Sequence, residues 1–97
     1  LELSDYYTNL LSQYEVIYLE DPLFEKDLLG WKDFYSKYST KLMVVADDLV
    51  VTNSEILKKV VKDKMCNSVI VKPNQIGTLT ETFEFIKEAC IHADKIY

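Results

Sequence analysis

Residues 42–55 read Leu42-Met43-Val44-Val45-Ala46-Asp47-Asp48-Leu49-Val50-Val51-Thr52-Asn53-Ser54-Glu55, and the order of residue types in this stretch decides the architecture. Positions 42–46 are all apolar. A strand with no polar face is buried on both sides, which is the pattern of a parallel sheet covered by helices. Two aspartates stop the run, as turn-forming residues do. Thr52-Asn53-Ser54-Glu55 then fits a capping box, with Thr52 as the cap and Glu55 reaching back. Behind it Leu57, Val60, Val61 and Lys64 fall at helical spacing.

The same unit recurs on both sides. Upstream, Val16-Ile17-Tyr18-Leu19 is a second apolar run, stopped by Glu20-Asp21-Pro22. A helix is expected over residues 26–38, with Leu28, Trp31, Tyr35 and Tyr38 on one side. Another is expected over residues 4–14, with Ser4 as N-cap and Leu3, Tyr7, Leu10 and Tyr14 on one face. Downstream, Val69-Ile70-Val71 is stopped by Lys72-Pro73. Thr78-Leu79-Thr80-Glu81 is a second capping box, and Leu79, Phe83, Ile86 and Cys90 form the expected buried stripe of the last helix. Residues 93–97 read as the start of a fourth strand. Strands alternating with helices give the order α-β-α-β-α-β-α, an α/β fold of βαβ units with parallel strands. No linker or low-complexity stretch divides the chain.

Composition narrows the function. The 97 residues are 48% hydrophobic and 28% charged, with two Gly and two Pro, an ordinary globular balance. The net charge of −5 disfavours nucleic acid and anionic membrane surfaces as partners. No apolar run approaches the roughly 20 residues of a membrane span, and the first residues lack the basic and apolar regions of a signal peptide. Cys66 and Cys90, both in helix-like stretches, make neither a disulfide framework nor a zinc site. They read as small buried hydrophobes in a reducing cytoplasm.

In parallel α/β folds the functional groups lie at the carboxyl ends of the strands. Here those ends carry Glu20-Asp21, Asp47-Asp48 and Lys72, all opening on one side of the sheet. Each group alone fits a plain turn or a solvated lysine. Together, carboxylates from neighbouring strands supply hard oxygen ligands for Mg²⁺. A lysine beside such a cation has its charged form disfavoured, and a neutral lysine can take a proton. Metal plus base suits abstraction of a proton alpha to a carboxylate, where the metal offsets the developing charge.

Three segments carry a closer resemblance: Leu19-Glu20-Asp21-Pro22; Val45-Ala46-Asp47-Asp48-Leu49 with Val51-Thr52-Asn53; and Val71-Lys72-Pro73-Asn74-Gln75-Ile76-Gly77-Thr78. In this order they resemble successive segments of the enolase family, and the resemblance covers essentially the whole chain. It implies that residues 1–97 are an incomplete part of the enolase C-terminal catalytic domain, a partial TIM-type (β/α) barrel. It implies a lyase of glycolysis that interconverts 2-phosphoglycerate and phosphoenolpyruvate with Mg²⁺, in the cytoplasm. By motif, Glu20 and Asp47 match metal ligands that also line the substrate site, and Lys72 matches the base for the C2 proton. A lysine base paired with Mg²⁺ is a known arrangement of that superfamily, so the residues alone did not dictate it. The resemblance leaves Asp48 to bond backbone or a neighbouring group, Asn74 and Gln75 to shape the loop, and Gly77 to permit the turn into the next helix.

The family's first metal aspartate, its general-acid glutamate and its His-Arg-Ser-Gly phosphate-binding segment are not in these residues. A barrel takes about 250 residues, so a fragment of a larger enzyme, homodimeric when complete and inactive as this piece alone, is expected. The stretch between Trp31 and Leu42 suggests a longer loop, and His92 reads as a helix-end residue. The alternatives are a non-catalytic enolase-like protein used for binding or assembly, and a relative acting on another carboxylate. A signalling receiver domain shares an acidic pair and a Lys-Pro. It needs a further strand between Asp47 and Lys72, for which there is no room.

Overall fold

A computed structural model describes residues 2–92. Helix α1 (Glu2–Gln13) leads to strand β1 (Tyr18–Glu20), helix α2 (Leu28–Tyr38), strand β2 (Met43–Ala46), helix α3 (Ser54–Lys62), strand β3 (Ser68–Val69), the single turn α4 (Pro73–Ile76) and helix α5 (Leu79–Ile91). The three strands are parallel and lie in the order β1-β2-β3. The apolar run before Asp47 is therefore the central strand. The expected order gains one element, α4. Pro73 opens it at a position where a missing N–H costs nothing. Gly77 closes it at φ +97, a left-handed conformation that glycine adopts without strain.

Register assigns each strand residue a face. Tyr18 lies opposite Met43, Leu19 opposite Val44, Glu20 opposite Val45, Val45 opposite Ser68 and Ala46 opposite Val69. Side chains alternate along a strand, so Leu19, Val44, Ala46 and Val69 share the face that packs on the helices. There they meet Trp31, Phe34, Leu57, Val60 and Phe85 in one core. Tyr18, Glu20, Met43, Val45 and Ser68 share the opposite, inner face. Burial of both faces holds for the carboxyl part of β2, where Val44, Val45 and Ala46 are buried. It fails for β1, where Tyr18 is 44% exposed, because β1 is a sheet edge within this chain.

Local chemistry explains most boundaries. Asp27 caps α2, its carboxylate accepting from the Gly30 N–H at 3.0 Å. α2 runs unbroken to Tyr38, so no long loop follows Trp31. Trp31 is fully buried, and its Nε1 donates to the Phe24 carbonyl at 3.0 Å. The Asn67 side chain fastens the entry to β2: its Oδ1 accepts from the Val44 N–H at 2.8 Å, and its Nδ2 donates to the carbonyls of Ser39 and Leu42. Thr78 caps α5 as expected, accepting from the Glu81 N–H at 3.1 Å. The Glu81 carboxylate accepts from the Thr78 hydroxyl rather than from its N–H.

Several expectations are corrected. α3 is capped by Asn53, whose Oδ1 accepts from the N–H groups of Glu55 and Ile56, and not by Thr52. Asn is a stronger N-cap than Thr, and the Thr52 hydroxyl is engaged elsewhere. Lys64 lies beyond the end of α3. On α5 the core takes Thr82 and Phe85 with Ala89 beside them, while Leu79 and Phe83 are 68% and 65% exposed. The helix carries two rows at helical spacing, and packing against α3 selects the row containing Phe85. In α1 the core-facing residues are Tyr7 and Leu11, while Leu3 stays exposed, as does Tyr14 just beyond the helix end. Ser4 lies inside that helix, which starts at Glu2. In α2 the buried residues are Trp31 and Phe34, and Leu28 is exposed. Cys66 is buried but lies between α3 and β3 rather than in a helix, and Cys90 is exposed on α5. His92 is the helix-end residue expected, capping α5 with its ring 3.1 Å from the Glu88 carboxylate. The strand expected at residues 93–97 lies outside the described residues.

Candidate active site

The carboxyl ends of β1, β2 and β3 carry the three groups singled out in the sequence. Asp47 follows Ala46 directly, and alternation turns it to the inner face with Val45. Glu20 shares that face, opposite Val45 on the next strand. Strand spacing and rise place the Cα atoms of Glu20 and Asp47 roughly 8 Å apart. Lys72 enters from the end of β3, and its Nζ donates to Asp47 Oδ2. Asp47 is only 5% exposed, so it is a buried carboxylate whose charge is met by an ammonium. A second donor reaches it from α4: Gln75 Nε2 lies 3.4 Å from Asp47 Oδ1.

Two residues build the frame around this pair. Asp21 holds φ +42, and its carboxylate accepts from the Asp47 N–H through Oδ1 and from the Asp48 N–H through Oδ2, each at 2.9 Å. It thereby ties the end of β1 to the end of β2. Thr52 is fully buried. Its hydroxyl accepts from the Lys72 N–H at 2.9 Å and lies 3.4 Å from Gln75 Oε1, to which it donates.

Charge follows from these contacts. The hydrogen bond with Asp47 holds the Lys72 ammonium above the usual lysine range, the reverse of the lowering expected for a lysine beside a cation. Partial burial opposes this rise, while the charges of Asp47, Glu20 and Asp48 add to it. Glu20 accepts from the Tyr18 hydroxyl at 3.0 Å, which raises the Tyr18 phenol. Glu20 itself stays exposed on the open inner face.

The structure therefore brings Glu20, Asp47 and Lys72 to one edge and one face. The sequence reading missed two residues there and misplaced a third. Gln75 was assigned to loop shape, yet it bonds the central carboxylate. Asp21 is expected as one of the strand-end carboxylates, with no role of its own, yet it clamps two backbone amides. Thr52 was read as a helix cap. The stronger capping preference of the adjacent Asn53 was the available signal that the threonine was free for another role.

Carboxylate oxygens of Asp21, Asp47 and Asp48 lie within 4.8 Å of one another. An all-oxygen, anionic donor set suits a hard divalent cation such as Mg²⁺ or Ca²⁺ and not a thiolate-seeking metal. Both Asp21 oxygens already accept backbone N–H bonds, so Asp21 acts first as a frame for the other carboxylates.

Ionisable groups gathered at the carboxyl ends of successive parallel strands are the site pattern of β/α folds, barrels among them. The model of the enolase C-terminal TIM barrel domain matches residues 1–94, and the chain belongs to that family. It is 49% identical over 88 residues to a protein named Enolase from Ehrlichia ruminantium (strain Gardel), a match covering 91% of this chain and 21% of the relative. Enolases of Mycoplasmopsis synoviae (strain 53) and Neorickettsia sennetsu (strain ATCC VR-367 / Miyayama) are 48% and 44% identical over the same length. The chain thus spans about a fifth of the length of the curated relatives it matches.

Proposed function

We propose that residues 1–97 are part of the catalytic barrel domain of a complete protein that reversibly dehydrates 2-phosphoglycerate to phosphoenolpyruvate. This is the lyase step of glycolysis, carried out by a cytoplasmic homodimer. The observation that supports this most directly is Lys72 Nζ set against Asp47, on the inner face shared with Glu20, in a chain of the enolase family. Lys72 is the base that takes the C2 proton. Glu20 and Asp47 would hold Mg²⁺ and line the substrate site. When bound, Mg²⁺ supplies positive charge that offsets the charge developing on the substrate carboxylate as the proton leaves.

This chain's own residues prepare that step. Asp47 fixes the position of the Lys72 side chain through a charge-assisted hydrogen bond; the same bond favours the ammonium, so the amine would be free to take a proton once a cation shares the Asp47 charge. Gln75 restrains the other Asp47 oxygen. The clamp from Asp21 fixes the backbone from which Asp47 projects. The isolated 97 residues carry the base and two ligands alone, and they are inactive.

Lys72→Ala in the complete protein tests the assignment. Solvent exchange at C2 of 2-phosphoglycerate is expected to vanish, while calorimetric Mg²⁺ binding persists. Exchange that continues at the wild-type rate removes Lys72 from the role.

A further inference from the structure

Val51 and Thr52 both adopt left-handed backbone conformations, at φ +44 and +54. For β-branched residues this region is a genuine outlier, and each such residue costs energy that the surrounding structure must offset. Two in succession lie directly before the Asn53 cap of α3. A looser link would let Thr52 cap the helix, as the sequence pattern invites. Instead the strained turn drives the Thr52 side chain inward until it is fully buried. There its hydroxyl makes two contacts with one neighbouring segment: it accepts from the Lys72 N–H at 2.9 Å and donates toward Gln75 Oε1 at 3.4 Å.

Both partners of the hydroxyl touch Asp47. Lys72 donates to one Asp47 oxygen and Gln75 to the other. One hydroxyl therefore sets the height of the lysine backbone and orients the glutamine amide that steadies the partner carboxylate. Lys72 is also the first residue before α4, and no side-chain hydrogen bond caps that turn. The Thr52 hydroxyl is the side-chain contact that fixes the Lys72 main chain.

We propose that Thr52 is a positioning residue: its hydroxyl, held inward by the strained Val51-Thr52 turn, fixes Lys72 and Gln75 together against Asp47. The inference rests on the reading of Lys72 as the base. A base displaced by about 1 Å loses on the order of 10²-fold in rate, so a geometric hold of this kind is visible in turnover.

The test uses the complete protein with Thr52→Val and Thr52→Ser. Valine keeps the β-branch and the volume but removes the hydroxyl, and serine keeps the hydroxyl but removes the methyl. Thr52→Val is expected to lower kcat by roughly 10²-fold with KM changed by less than about threefold, and Thr52→Ser to recover most of kcat. Hydrogen exchange at the Lys72 amide, followed without substrate or metal, is expected to accelerate in Thr52→Val and to stay near wild type in Thr52→Ser. A kcat unchanged by Thr52→Val, an effect confined to KM, or equal losses in both variants each overturns the proposal. If the wild-type protein does not turn over 2-phosphoglycerate, the proposed function falls. The exchange measurement still decides the hold on Lys72, since unchanged amide protection in Thr52→Val overturns it.

Discussion

Removing the Asp21 carboxylate is expected to loosen two strands and the candidate site together. Its two oxygens accept the N–H groups of Asp47 and Asp48 at 2.9 Å each. Hydrogen bonds to a charged group contribute about 1.5–3 kcal/mol apiece. Asp48 is exposed, so water replaces most of its bond, whereas the Asp47 amide belongs to a buried residue and is left without a partner. Asp21→Ala should therefore cost about 3 kcal/mol, including the poorer fit of alanine at φ +42. Asp21→Asn keeps the shape and one acceptor, and it should cost about half as much. Urea unfolding of the complete protein reads the cost as a shift in midpoint at constant slope. Mg²⁺ titration should weaken in parallel by about tenfold or more, the usual result of disturbing a residue that orients a ligand. A loss below about 0.5 kcal/mol in both variants, with Mg²⁺ affinity unchanged, would show that the clamp holds nothing.

Three further outcomes are expected. Asp47→Asn removes the anionic charge of the proposed ligand and leaves Lys72 without its counter-charge, so Mg²⁺ affinity should fall at least about tenfold by calorimetry; an unchanged titration counts against Asp47 as a ligand. Asn67→Ala deletes two accepted bonds, from the Val44 N–H and the Ser68 hydroxyl, and two donated ones at the entry to β2, and it strands the buried Val44 N–H. It should cost about 2–3 kcal/mol in denaturant unfolding, and a cost under about 1 kcal/mol would refute that role. Burial pushes the Cys66 thiol from 9.0 up to about 12. The folded state keeps this proton where the unfolded chain loses it, so stability contributed by the thiol is present below pH 9 and declines as pH rises toward 12. Cys66→Ser should flatten that alkaline decline, and an identical pH curve would exclude Cys66 as its source.

The sequence by itself determined the order of the strands and of the four longer helices, the parallel sense of the strands and the groups at each strand end. These are local properties. Apolar runs such as residues 42–46 have one low-energy placement, and Asp, Pro and Asn stop them for reasons contained within a few residues. Glu20, Asp47 and Lys72 were legible because alternation and the βα connection carry side chains at strand ends to a common edge. The family's resemblance added their roles.

Only the tertiary structure decided which helix faces pack inward and which polar groups meet. α5 presents two apolar rows, and contact with α3 chose Phe85 over Phe83. The roles of Asp21, Thr52 and Gln75 depend on partners 20 to 28 positions away. A hydroxyl or carboxylate has no sequence period that names a distant backbone N–H, so its partner is fixed only when β1, β2 and β3 close into one sheet.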